Sequence, residues 1–259
     1  MMNPETCGNC GNSIDLNFCP NCGQKKFKRI DGKYIKDEIQ YTLLHTNKGF
    51  FYTVKKLLQN PGKTTLEYLN GNRVNHYKPI LLVFVLSGIS TFISYKILNM
   101  GDLMATYYNE MLIEKGQNPN QMDFMAKMSN YTTLLIMAFL PFFAISSLIA
   151  FRKQGHNYFE HIIINSFLYV LFTLFVMFVI SPILFFIKDP NIFLMITMSS
   201  FIAAFPLMIW FYKGLYPQLS FGKIIGKSLL MGFLSLILYL VVSIGFGLVA
   251  GVFLYYLKH

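Results

Sequence analysis

Along most of its length the chain alternates long apolar runs with short polar breaks, and only the part before residue 79 has a different texture. A helix needs about 20 apolar residues to cross the hydrocarbon layer, and runs of that kind fall at 79–98, 131–151, 161–187, 191–212 and 226–257. The pattern predicts an all-α integral membrane helical bundle of about five spans. Only Lys188-Asp189-Pro190 separates the third run from the fourth, so these two should form a tight hairpin. Pro141, Pro182 and Pro206 interrupt three of the runs, and each should bend its helix. In the last run Ser243, Gly247 and Gly251 repeat every fourth residue. Such a small-residue face suits close helix packing, within one subunit or between copies in a homo-oligomer.

Before residue 79 the apolar positions become periodic. Phe50, Phe51, Val54, Leu57 and Leu58 recur at helical spacing while Lys48, Lys55 and Lys56 lie elsewhere, which predicts an amphipathic, basic helix from about Tyr34 to Leu58. It should lie at the membrane interface or against the membrane domain. Pro61-Gly62 should end it, Thr64-Thr65-Leu66-Glu67 should act as a capping box for a short second helix, and Gly71 should close that helix. Three parts result: residues 1–30, a head; 31–78, an amphipathic juxtamembrane helical region; and 79–259, the five-span transmembrane domain.

Composition agrees with this division. The chain is 54% hydrophobic and 13% charged, against about 25% charged in ordinary globular domains. Its net charge is +10, and more than half of the 22 Lys and Arg precede residue 79. The 99–130 loop instead carries Asp102, Glu110, Glu114 and Asp123 against Lys115 and Lys127, whereas Arg152, Lys153, Lys213 and Lys223 lie in the loops of the opposite side. The positive-inside rule then places the N-terminus in the cytosol and, with five spans, the C-terminus outside. The first forty residues hold no apolar run of signal-peptide length, so the head is expected to stay where it is made.

All four cysteines lie in that head. Cys7, Cys10, Cys19 and Cys22 form a C-x2-C-x8-C-x2-C pattern, with Gly8, Gly11, Gly23 and Pro20 at turn positions. Two facing knuckles of this kind offer four thiolates to one tetrahedral ion, and zinc suits the geometry. A reducing cytosol disfavours two disulfides; a rubredoxin-like iron remains the alternative ion. Four-thiolate coordination is closed, so the zinc would be structural and the head a minimal zinc ribbon. Lys25, Lys26, Lys28 and Arg29 follow directly. Beside a membrane domain this run points to lipid headgroups or a protein in preference to nucleic acid.

Polar chemistry in the apolar part concentrates at Arg152–His161. Helical spacing puts Tyr158, His161, Asn165 and Tyr169 on one stripe, with His156 and Glu160 on the next. Together with Arg73, His76 and Tyr77 on the approach to the first span, Tyr158, Glu160, His161 and Asn165 are candidates for an inner-leaflet polar pocket. No nucleophile or complete ligand spacing accompanies them, which argues against an enzyme. Met100, Met104, Met111, Met122, Met125 and Met128 cluster in the 99–130 loop, where they supply apolar faces for two short helices or, less economically, soft ligands for cuprous copper.

Several of these features occur together in one family. Cys7-x2-Cys10, Phe18-Cys-Pro-Asn-Cys-Gly-Gln24, Phe51-x-Thr53, Leu57-Leu58-x2-Pro61-Gly62, Tyr68-x2-Gly71-x-Arg73-x3-Tyr77-x-Pro79 and Tyr158-Phe-Glu-His161 resemble an uncharacterised family of bacterial zinc-ribbon membrane proteins, catalogued as a domain of unknown function. Asn72 stands where that family commonly has a basic residue. The resemblance implies a multi-pass protein of the bacterial inner membrane and brings no activity with it. The layout of five spans behind a cytosolic head is also similar to Yip-type membrane proteins, which organise partners. The expectation is a non-enzymatic protein whose head recruits or regulates a protein partner while the bundle anchors it among membrane lipids. The alternative is a transporter or channel-like carrier using the polar pocket.

Overall fold

A computed structural model describes residues 6–26, 30–35, 49–114 and 132–258, and their side chains except over 132–136 and 246–258. It is all-helical apart from the head, where two isolated antiparallel bridges, Thr6 with Ser13 and Phe18 with Lys25, stand in for strands.

After a helical turn at 32–35, the described residues form two short helices before the bundle: α1, Phe50–Gln59, and α2, Pro61–Leu69. Pro61-Gly62 does more than end α1. Proline lacks the amide hydrogen that the first turn leaves unbonded, so it suits the first helical position, and Asn60 caps the turn by accepting from the Lys63 amide. The expected capping box at Thr64–Glu67 is therefore inside α2, where Thr64 and Thr65 donate to the carbonyls of Asn60 and Pro61. Gly71 closes α2 as anticipated. Its φ is 103°, and the pair Gly71 N to Tyr68 O and Asn72 N to Glu67 O forms a Schellman motif.

The bundle consists of α3 (Pro79–Phe92, continued as a π turn to Ile97), α4 (Met100–Glu114), α5 (Thr132–Phe151), α6 (Tyr158–Phe175, continued through a π turn, Val176–Ile180, to Phe185), α7 (Pro190–Leu215) and α8 (Phe221–Lys258). The π turn before Pro182 absorbs the hydrogen bond that this proline cannot make. Among the described residues four helices are long and apolar enough to cross a membrane: Pro79–Ile97, Tyr158–Phe185, Pro190–Leu215 and, over its described side chains, Phe221–Gly245. The predicted 131–151 run is the 20-residue helix α5, with no charged residue. Two starts differ from expectation. α6 begins at Tyr158 because Asn157 and Glu160 form a full capping box, and α8 begins at Phe221, directly after the turn at 217–219.

The central helix is α6, 44% buried over its apolar window against 11% for α7 and α8. It packs on α3 and α5, and α8 lies against α5 and α7. Among the described residues most of the core lies at the end that carries the head, hereafter the ribbon end: Leu57, Tyr68, Leu82, Phe151, Ile163, Phe167, Phe211, Tyr212 and Ile224 belong to one cluster. At the far end Leu98, Ile180, Leu184 and Phe193 form a small cluster, with Met100 and Met104 of α4 packed against it. Phe84, Phe92, Phe178, Phe201, Ile202, Phe233 and Ile244 point outward along the spans, as side chains do when hydrocarbon is the solvent.

The α1–α2 hairpin is part of the core. Gly62 sits so close to Phe211, Gly214 and Leu215 of α7 that a Cβ there would collide with backbone. The single apolar face expected for α1 is divided: Leu57 is fully buried with Thr53, Phe50 and Val54 pack at the edge of the core, and Phe51 and Leu58 face outward. Residues 36–48, the earlier part of the expected helix, lie outside the described residues. So do Lys28, Arg29, Met122, Met125 and Met128. Ser243 is half-buried on α8; the surroundings of Gly247 and Gly251 are not among those described.

Candidate functional site

The head is one turn used twice. In the first knuckle Cys7 N donates to Asn12 O at 2.8 Å and Gly11 N to Cys7 O at 2.9 Å; in the second Cys19 N donates to Gln24 O at 2.7 Å and Gly23 N to Cys19 O at 2.9 Å. Gly11 and Gly23 have φ of 78° and 72°, left-handed values that favour glycine. One bridge flanks each knuckle.

The turns bring the sulfurs together. Cys7 Sγ lies 3.6 Å from Cys22 Sγ, and Cys10 Sγ lies 3.6 Å from Cys19 Sγ. All four ligand atoms fall within 4.8 Å of one another. Disulfide sulfurs stand about 2.05 Å apart, whereas a tetrahedron of sulfurs about 2.3 Å from one ion has edges of about 3.8 Å. The four cysteines therefore fit a tetrahedral metal ion and could bind one. The Cys22 thiol is pulled down to about 6 by a bond to the Asn9 side chain and by the Gln24 amide, and Cys10 is lowered by the Asn12 amide. Burial pushes Cys7 up to about 11, a desolvation cost that a neighbouring cation offsets.

The ribbon is docked on the chain that follows α2. Gln24, 3% exposed, gives its side-chain amide to the Gly71 carbonyl and accepts the Arg73 amide at 3.4 Å. From the first knuckle Gly8 meets the same turn; a Cβ on it would stand 2.9 Å from Asn70 O and 3.1 Å from Gly71 C. Arg73 donates from Nε to Tyr68 O and lies over the rings of Tyr34 and Tyr68 at 4.8 and 5.5 Å. The hydroxyls of Tyr34 and Tyr68 share a bond of 2.8 Å. Asn157, before α6, donates to Ile30 O, and Ile30 is fully buried in the main core.

The residues expected around one polar pocket gather in two places. Arg73, His76 and Tyr77 belong to the ribbon-end turn. His76 shares a 3.4 Å contact with Thr53, packs against Tyr52 and Tyr68, and is driven down to about 4, first by desolvation and then by Lys56. The Tyr77 amide donates to Thr53 Oγ1 and its ring meets Phe50. The others lie between α5 and α6. Tyr158 donates to Pro141 O, and Glu160 caps α6 through the Asn157 amide. His161 and Ser147 share a 2.9 Å hydrogen bond, and Asn165 donates to Ser147 Oγ and to His161 O. His161 Nε2 and the Tyr216 hydroxyl have no hydrogen-bond partner among the described residues. A cleft of about 370 Å³ adjoins the first group, lined by Gly49, Tyr52, Val74 and Asn75, with Tyr52 the ring that packs on His76.

Each group converges on a hydroxyl, Thr53 or Ser147; sequence reasoning met Thr53 only inside the Phe51-x-Thr53 element of the resemblance and missed Ser147. For Ser147 the only signal was its position inside an otherwise apolar helix.

Residues 47–91, which include α1, α2 and the ribbon-docking turn, match a family described as protein of unknown function (DUF3667). No curated protein and no solved structure matches the chain.

Proposed function

We propose that this is a non-enzymatic inner-membrane protein of bacterial type, with five spans, a cytosolic N-terminus and an external C-terminus. In this reading the ribbon holds one structural zinc ion and recruits or regulates a protein partner at the cytosolic face, while the bundle serves as a lipid-embedded anchor. The observation that carries it is the two-sidedness of the head. Gly8 and Gln24 face the Asn70–Arg73 turn, while Leu16 and Phe18, 80% and 59% exposed, remain outward. An apolar pair on so small a polar module is a contact surface in want of a partner. Closed four-thiolate coordination favours a structural ion. The hydrogen bonds of Glu160, His161 and Asn165 to neighbouring helix groups favour a packing role for these side chains over catalysis.

A photo-crosslinking residue at Leu16 in the full chain tests this in cells. A discrete adduct with another polypeptide, lost on Cys7→Ser, is expected; adducts with lipid alone would remove recruitment. A reporter fused to the N-terminus should be found in the cytosol.

The carrier reading draws on one observation, the bare His161 Nε2 and Tyr216 hydroxyl buried near the ribbon end. Solute flux across vesicles that vanished in His161→Leu would favour it.

A further inference from the structure

We propose that the metal ion acts as a latch: by holding the two knuckles it keeps Gln24 and Gly8 clasped to the Asn70–Arg73 turn, so that occupancy of the cysteine cluster sets the state of the turn linking α2 to the first span. This rests on the fit of the cluster to a metal and is independent of whether the head recruits a partner.

Gln24 takes part in both structures. Its carbonyl closes the second knuckle by accepting the Cys19 amide, and its own amide bonds the Cys22 sulfur. Its side chain is the clasp on Gly71 and Arg73. Knuckle geometry and docking geometry are thus set by one residue, whose backbone cannot reorganise while its side chain stays put. Gly8 supplies the second contact from the other knuckle, where only a hydrogen fits against Asn70 and Gly71.

The clasped turn leads inward. Arg73 bonds and stacks on Tyr68, and the Tyr68 ring stands edge-on to Phe167 of the central helix at 5.3 Å. Contact therefore runs from the sulfurs through Gln24 and Arg73 to α6.

The ribbon cannot hold this shape unaided. Its own core is Cys7, Ile14 and Cys19, with Cys22 packed alongside, and small modules of that kind fold with their metal. When the ion leaves, the knuckles open, and the Gly71 carbonyl and Arg73 amide must find water. The head does not leave with the ion, because Ile30 stays in the main core with its carbonyl bonded by Asn157. A short tether keeps the effective concentration high, so the latch recloses when metal returns.

The test is hydrogen exchange on the full chain in detergent, read on peptides covering 7–26 and 66–77, with metal content measured alongside. Chelation should open both segments, with exchange at Arg73 on the order of tenfold faster, and zinc should restore both. Gln24→Ala should keep bound metal and a protected 7–22 segment while 66–77 exchanges faster. Gly8→Val should do the same by pushing the first knuckle away. If chelation opens 7–26 and leaves 66–77 unchanged, or if Gln24→Ala with metal bound leaves Arg73 as protected as in the wild type, the latch is overturned.

Discussion

Among the described residues the cysteine ribbon buries one aliphatic side chain, Ile14, whereas the ribbon end of the bundle joins 22 residues in one buried cluster. The two regions touch through Gln24 and Gly8 yet are held together by different physics. In the ribbon, short loops converge on sulfur and there is little apolar surface to remove from water. In the bundle, burial is extensive, and apolar side chains such as Phe84, Phe178, Phe201 and Phe233 are left facing lipid. The two should therefore fail under different insults.

The largest expected effect separates them outright. Burying Ile14 supplies about 2–3 kcal/mol, while metal binding to small zinc modules is worth about 10–16 kcal/mol. Stripping the ion, or Cys19→Ser, should unfold the head and expose Lys25 and Lys26 to trypsin. The helical circular dichroism of the bundle should persist. Loss of helicity in parallel with the head would show that the two are one cooperative unit.

The reverse experiment strikes the bundle. At Gly62 an added methyl meets the backbone of Phe211, Gly214 and Leu215, none of which can step aside. Gly62→Ala should cost about 3 kcal/mol by overpacking, read as a lower melting temperature in detergent with metal content unchanged. Gly222→Ala is the control: nothing lies within 4 Å of a Cβ there, and alanine favours the helix.

These two sites also show what a sequence discloses. The cysteine knuckles were legible because ligand spacing is local: each pair lies within one turn. The spans were legible because apolar runs need no knowledge of neighbours, and Gly71 because a left-handed cap is set by its own helix. The seat of the α1–α2 hairpin was not. Its determinants, Gly62 and Gly214, stand far apart in the chain, and a glycine announces permission for close approach without naming what approaches. The divided face of α1 follows from the same ignorance, since periodicity places Leu57 and Phe51 on a helix but not the helix in the fold. How the polar residues group was hidden for the same reason. Of the stripe on α6, His161 and Asn165 meet Ser147 of α5 while Tyr169 accepts from Ser87 of α3, and Thr53 takes His76 and Tyr77, addresses that helical spacing alone cannot distinguish.

Acid should probe the seam between the regions. His76 is held neutral with its ionisation at about 4, below the ordinary 6.5, because burial and Lys56 disfavour its charge. The unfolded chain takes up the proton first, so this site leaves stability intact above about 6.5 and erodes it progressively as pH falls from there to about 4. At pH 5.5 the loss should be on the order of 1 kcal/mol. His76→Gln should flatten melting temperature across that window; an unchanged slope would place the sensitive group elsewhere.

The smallest effect concerns Ser147, and here the sign is informative. Its single hydroxyl hydrogen is directed to Ala144 O at 3.1 Å, while Asn165 donates to its oxygen at 2.6 Å. By that accounting His161 donates from Nδ1, leaving Nε2 as a bare acceptor. Ser147→Ala removes the acceptor both residues share. Hydrogen bonds between membrane helices average about 0.6 kcal/mol, so stability should fall only by about that amount, because Asn165 keeps its bond to His161 O. A double-mutant cycle of Ser147→Ala with Asn165→Leu measures it. A coupling several times larger would mean that the pair is enclosed as tightly as a protein interior, and the bundle would then resemble the water-soluble core that the ribbon lacks.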